Sequence, residues 1–124
     1  MRGTKMSTRQ VLDRIATIRD GLTVSWAEGT EVPAEVESVA QAVLLEAIRN
    51  AEKHANATEI EVSVGVDDGA FVLDVVNDGV RSANQGTGLG LRLATIEALQ
   101  HNGIVEFGPL AEDRWHVRLV VPQE

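Results

Sequence analysis

The chain has 124 residues, 44% of them hydrophobic, which is enough to close one core and too little for two, so a single domain is expected. No run approaches the roughly 20 apolar residues of a membrane span, and the absence of cysteine excludes disulfides, thiol catalysis and thiolate metal sites. The missing span and missing cysteines make the expectation a soluble, cytoplasmic unit without direct membrane contact of its own, whether or not a parent protein is membrane-anchored, and a net charge of −8 opposes a nucleic-acid backbone, so any phosphate is held by local groups.

The opening Met1-Arg2-Gly3-Thr4-Lys5-Met6 is polar and patternless, and residues 1–8 are taken as a leader or linker before a domain over 9–124. Val11, Leu12, Ile15, Ala16 and Ile18 fall at helical spacing between Gln10 and Arg19, with Gly21 as the stop. Leu22 to Trp26 alternates in strand fashion. Pro33 then suits the first turn of a main helix of about six turns, whose stripe Val36, Val39, Ala40, Val43, Ala47, Ile48, Ala51 and Ala55 is apolar. Glu59 to Val66 and Phe71 to Val75 alternate on either side of the tight turn Asp67-Asp68-Gly69, as in a hairpin. From Gly79 to Gly90 small and polar residues predict a loop, followed by a helix over Leu91 to Leu99 closed by Asn102-Gly103. Two last strands, Ile104 to Phe107 and Trp115 to Val121, flank a turn from Gly108 to Asp113. Strict alternation means one wet and one covered sheet face, so the fold class is α/β: a two-layer sandwich with helices on one face of a mixed, largely antiparallel sheet.

Two features carry chemistry. On the main helix Glu46, Asn50 and Lys53 share a narrow arc beside the apolar stripe, with His54 nearer the core side. An amide oxygen for a hard cation such as Mg²⁺, a base for phosphate charge and an acid to order a proton make a metal-phosphate rim; the plain alternative is a solvated helix face. Asn at mid-helix competes with backbone hydrogen bonds and calls for a specific explanation. The second feature is Gly86-Thr87-Gly88-Leu89-Gly90 ahead of a helix, where backbone N–H groups can approach phosphate oxygens; its alternative is a flexible connector. The spacing is neither that of a dinucleotide fold nor of a P-loop. His101 and His116 read as cap and surface residues, and Trp26 and Trp115 as packing.

The run Glu46-Ala47-Ile48-Arg49-Asn50-Ala51-Glu52-Lys53-His54-Ala55, followed by Ala57-Thr58 and an alternating strand, resembles the N box of the GHKL ATPase superfamily. Leu22-Thr23-Val24 and the stretch from Gly86 to Gly103 are similar to those of sensor histidine kinases paired with helix-turn-helix response regulators. The resemblance implies the Bergerat ATP-binding fold, with ATP between the main helix and a lid over about 79–89. It implies that Asn50 coordinates Mg²⁺, that Glu46 sits near the γ-phosphate, that Lys53 and His54 line the phosphate path, and that Gly86, Thr87, Gly88, Leu89 and Gly90 cradle the phosphates. Its partners would be a dimerisation domain bearing the phosphoacceptor histidine and, indirectly, a response regulator. The box that reads Asp-x-Gly-x-Gly in that family is here Asn77-Asp78-Gly79-Val80-Arg81: Asn77 takes the place of the adenine-binding Asp, a weaker neutral acceptor, with Asp78 as the other candidate, and Arg81 replaces the second glycine. An anti-sigma-factor serine kinase and a non-catalytic ATP-binding or docking module are the rival readings.

Overall fold

The computed structural model describes residues 6–80 and 89–123, without the side chains of His54 and Leu89. The chain opens on α1 (Thr8–Ile18), two residues earlier than the apolar spacing gives, because Ser7 and Gln10 form a reciprocal capping box. The Ser7 hydroxyl accepts from the Gln10 N–H at 3.1 Å, and the Gln10 side chain accepts from the Ser7 N–H at 2.8 Å. β1 (Leu22–Trp26) follows as expected. Pro33 precedes a 3₁₀ turn, Ala34–Val36, and only then does α2 (Glu37–His54) begin, so the main helix is shorter than the apolar stripe suggests. β2 (Ile60–Asp67) and β3 (Ala70–Asn77) form the hairpin. Past residues 81–88 come α3 (Leu89–Gln100), β4 (Ile104–Ala111) and β5 (Arg114–Pro122).

The five strands lie in the order β1-β2-β3-β5-β4; β1 pairs parallel to β2 and every other pairing is antiparallel. β4 runs on through Gly108 and Pro109, which the sequence reading had assigned to a turn. It can do so because it is the sheet's edge, where proline's missing N–H breaks no ladder, and the register shift between Pro109 and Ala111 absorbs the misfit. The helix closure at Asn102-Gly103 is as expected: Asn102 is left-handed at φ 62 and the Gly103 N–H reaches back to the Ala98 carbonyl at 2.8 Å.

Helices cover one face of the sheet. Val39, Val43, Leu44 and Ala51 of α2 bury against the inward residues of the central strands, among which Phe71, Leu73 and Leu119 are fully enclosed. Each such side chain contributes about 1.5–3 kcal/mol by leaving water. The opposite face carries Glu61, Asp74, Arg114, His116 and Arg118, with loose ion pairs at 3.8 Å from Arg118 to Asp67 and 3.9 Å from Arg114 to Glu61, and with His116 3.7 Å from Asp74. No helix among the described residues is long and apolar enough to cross a membrane.

Candidate nucleotide-binding site

The C-terminal half of α2 presents the polar residues that the sequence singled out, at graded depth. Asn50 is buried at 4% exposure, Glu46 is half-buried at the rim, and Lys53 is exposed. The Glu46 carboxylate lies 3.8 Å from the exposed Arg49 guanidinium, one turn along. Asn50 sits among Ala47, Ile48 and Ala51, all buried, and its amide nitrogen has no hydrogen-bond partner. An orphaned buried donor costs about 1–3 kcal/mol, so this position is a standing defect of the fold unless something outside the chain meets it. The backbone of His54 closes α2; its side chain lies outside the described residues.

The end of β3 is strapped across the end of this helix. Ala55 and Val80 form an isolated antiparallel bridge, and the Asn56 N–H donates to the Gly79 carbonyl at 2.8 Å. Gly79 has φ +70, and a Cβ there would run into the Asn56 carbonyl, so only glycine lets the two segments close. The two candidates for the base, Asn77 and Asp78, are placed differently. The Asp78 carboxylate is engaged by the Thr58–Glu59 turn: Oδ2 accepts from the Thr58 hydroxyl at 2.6 Å, and Oδ1 from the N–H groups of Thr58 at 2.8 Å and Glu59 at 3.0 Å. The Thr58 hydroxyl bond, then the Glu59 N–H, hold the Asp78 carboxyl below its ordinary 3.8. Its contribution is therefore full above the ordinary carboxylate value and is lost as pH falls through the depressed one. Asn77, by contrast, is buried at 3% and points inward beside the core, its amide nitrogen donating to the Asp78 carbonyl at 2.8 Å.

At the other margin, the first turn of α3 packs on Glu46. The loop was expected to run to Gly90, yet Leu89 and Gly90 already belong to the helix. A Cβ at Gly90 would fall on the Glu46 carboxylate, so the bare glycine is what admits that carboxylate to the start of α3. Arg81, Gly86, Thr87 and Gly88 lie outside the described residues. Val80 therefore stands at one end of the Asn50 helix face, beside Ala55, and Gly90 at the other, beside Glu46, about 13 Å apart along the helix axis.

These residues fit a nucleotide with a hard cation. Among the described residues no group of three or more His, Asp or Glu side chains is placed to hold a metal on its own. An ion such as Mg²⁺ takes one or two protein oxygens and completes its shell with phosphate and water. The orphaned Asn50 amide offers an oxygen to such an ion and an unpaired N–H₂ to a phosphate oxygen. Sequence reasoning missed two neighbours of these residues. Thr58 braces Asp78 from across a long loop, which no local pattern announces. Trp115, read as packing, is cross-strand partner of Asn77 and carries a second orphaned buried donor, its indole N–H.

No family model matches the chain. Solved structures do. The chain superposes on the Acinetobacter baumannii histidine kinase AdeS with a TM-score of 0.63 at 17% identity, covering 90% of this chain and 58% of that one. On the histidine kinase domain of the Erythrobacter litoralis blue-light-activated kinase EL346 the TM-score is 0.65 at 21% identity, covering 90% and 62%. Full-length ShkA, solved in complex with AMPPNP, gives 0.66 at 22% identity, covering 92% of this chain and 28% of that one. The chain thus spans less than two thirds of each of these proteins. Its helices and mixed five-stranded sheet share the fold of these histidine kinase structures.

Proposed function

We propose that the chain is the ATP-binding catalytic domain of a sensor histidine kinase, presenting the γ-phosphate of ATP to a histidine on a separate dimerisation domain, with a response regulator downstream. The observation that carries this reading is the buried, unpaired Asn50 amide on the face of α2 that Glu46 and the two ends of the 81–88 segment border. The N-box resemblance of Glu46 to Ala55, the shared fold and the AMPPNP bound by ShkA support it independently.

Phosphoryl transfer asks a protein mainly to position groups and to neutralise charge. Asn50 would hold Mg²⁺, which supplies that neutralisation at the phosphates. Lys53 adds a positive charge at the outer rim, with His54 next to it in the chain, and the glycines of the run Gly86 to Gly90 would leave backbone N–H groups open to the phosphate oxygens. Glu46 holds its carboxylate where a proton leaving the attacking imidazole can be accepted. Asn77 accepts the adenine amino group, and Asp78 keeps the loop under it in place. With the phosphoacceptor histidine on a separate domain, little or no autophosphorylation of the isolated chain is expected.

The test is a calorimetric titration with ATP in excess Mg²⁺ and again in EDTA. Saturable binding in Mg²⁺ that weakens at least about tenfold in EDTA is expected. No binding at millimolar ATP, or stoichiometric phosphohistidine on the isolated chain, would contradict the proposal.

A further inference from the structure

α3 carries apolar residues on its inner and its outer side. Leu91, Ala94 and Ala98 bury in the core, yet Leu93, Ile96 and Leu99, at three-residue steps on the outer side, are each more than half exposed. A helix apolar on both sides is the mark of one that is covered on both. Beside this stripe, Leu45 of α2, at 50% exposure, shares a groove with Leu93 that the small Ala42 and Ala94 also line. The two helices run antiparallel. Gly90, in the first turn of α3, lies on Glu46 in the second half of α2, whereas Gln100 and Asn102 share a hollow with Val36, where α2 begins. Glu97 and Arg49, which line the groove as well, therefore stand at its opposite ends, about 15 Å apart by helical rise. The Arg49 side chain is 74% exposed and tied to Glu46 only at 3.8 Å, so its guanidinium is able to turn outward.

We infer that the α2–α3 groove is a self-recognition surface through which two copies of this chain pair about a two-fold axis. A two-fold sets residue i of one copy against j of the other and j against i, so a surface pairs with itself only where half a turn brings each group to its complement. The groove meets that condition. Its middle is apolar, and half a turn about the middle exchanges the cationic end with the anionic one. Arg49 of each copy then meets the partner's Glu97, while Leu45 and Leu93 of both copies are covered together. A partner whose rim carries a single sign of charge faces its like at one end, and that juxtaposition is what excludes it. The charge of −8 on each chain opposes association at long range, so the contact is held by these local groups. Leu45, Leu93, Ile96 and Leu99, each about half exposed, fall well short of the roughly 800 Å² per partner of a standard stable interface, so the pair is weak and readily reversible. The pairing does not depend on the ATP reading. If that reading holds, a dimerisation domain raises the effective concentration of the two copies, and Glu46, which lines the same groove, is covered in the pair.

The experiment is sedimentation of the chain without nucleotide over a range of concentrations. The parent's average mass should rise from monomer towards dimer between about 10 μM and about 1 mM. Arg49→Glu puts acids at both ends of the groove and Glu97→Arg puts bases there, so like charges meet twice in each homodimer and association should weaken at least about tenfold. An equimolar mixture of the two variants sets every end against its opposite, and it should associate as well as the parent. Leu93→Asp, at an exposed position, should abolish pairing without touching either charge. Melting curves check that each variant is folded; where a reversal lowers the melting temperature, Arg49→Gln and Glu97→Gln take its place, with a smaller loss of association expected. A parent that stays monomeric at the highest concentration overturns the inference, as do single reversals that pair like the parent or a mixture that stays monomeric. None of these results bears on ATP binding, which the titration with Mg²⁺ reads separately.

Discussion

In the N-terminal half of α2, Glu37 accepts from both the N–H and the hydroxyl of Thr8, at 2.7 and 2.5 Å, and Gln41 donates to the Met6 carbonyl at 2.9 Å. In the C-terminal half, Asn50 is just as enclosed as its apolar neighbours, yet its amide nitrogen meets nothing. Both halves bury polar groups along one continuous helix, but only the first satisfies them from within. A fold that satisfies Thr8 at 0% exposure across a sequence separation of 29 residues is evidently able to partner a buried polar group. Where it leaves one unpaired next to Glu46, the missing partner is best sought outside the chain.

Two substitutions bear on that contrast. Thr8→Val keeps the shape of the side chain and removes the hydroxyl from Glu37, leaving a half-buried carboxylate short of a donor. A loss of about 1–3 kcal/mol in urea unfolding is expected, with ATP affinity unchanged. Nucleotide affinity falling with it would mean that the two halves of α2 are one cooperative site. The effect of Gly90→Ala is smaller in stability and opposite in sign. Alanine in the first turn of α3 gains up to about 1 kcal/mol of helix propensity, and its Cβ meets only the movable end of the Glu46 side chain. Parallel melts and ATP titrations should show a domain no less stable that binds ATP·Mg²⁺ several-fold more weakly. Equal affinity would show that the position of the Glu46 carboxylate does not matter to the site.

Most of the architecture was legible in the sequence, because alternation in β2, β3 and β5 and the apolar stripe of α2 state which face is covered. The misreadings have local causes. The start of α1 was set by a capping box, Ser7 to Gln10, that lies outside the apolar pattern. Gly108 and Pro109 look like a turn until the strand holding them is known to be an edge. Within the site, Glu46 and Asn50 could be paired by helical spacing alone, whereas the different placements of Asn77 and Asp78 depend on Thr58, and that of Trp115 on its register with Asn77. Such relations between distant segments leave no periodic trace.

The most direct test of Asn50 as a ligand residue is the thermal shift caused by ATP·Mg²⁺ in the chain and in Asn50→Leu. Leucine fills the same space without an unpaired amide, so the variant should melt higher than the parent in the absence of nucleotide. Saturating ATP·Mg²⁺ should raise the parent's Tm by several degrees and leave the variant's unmoved. A variant that melts lower than the parent and still shifts with ATP·Mg²⁺ would show that Asn50 serves the fold and not the ligand.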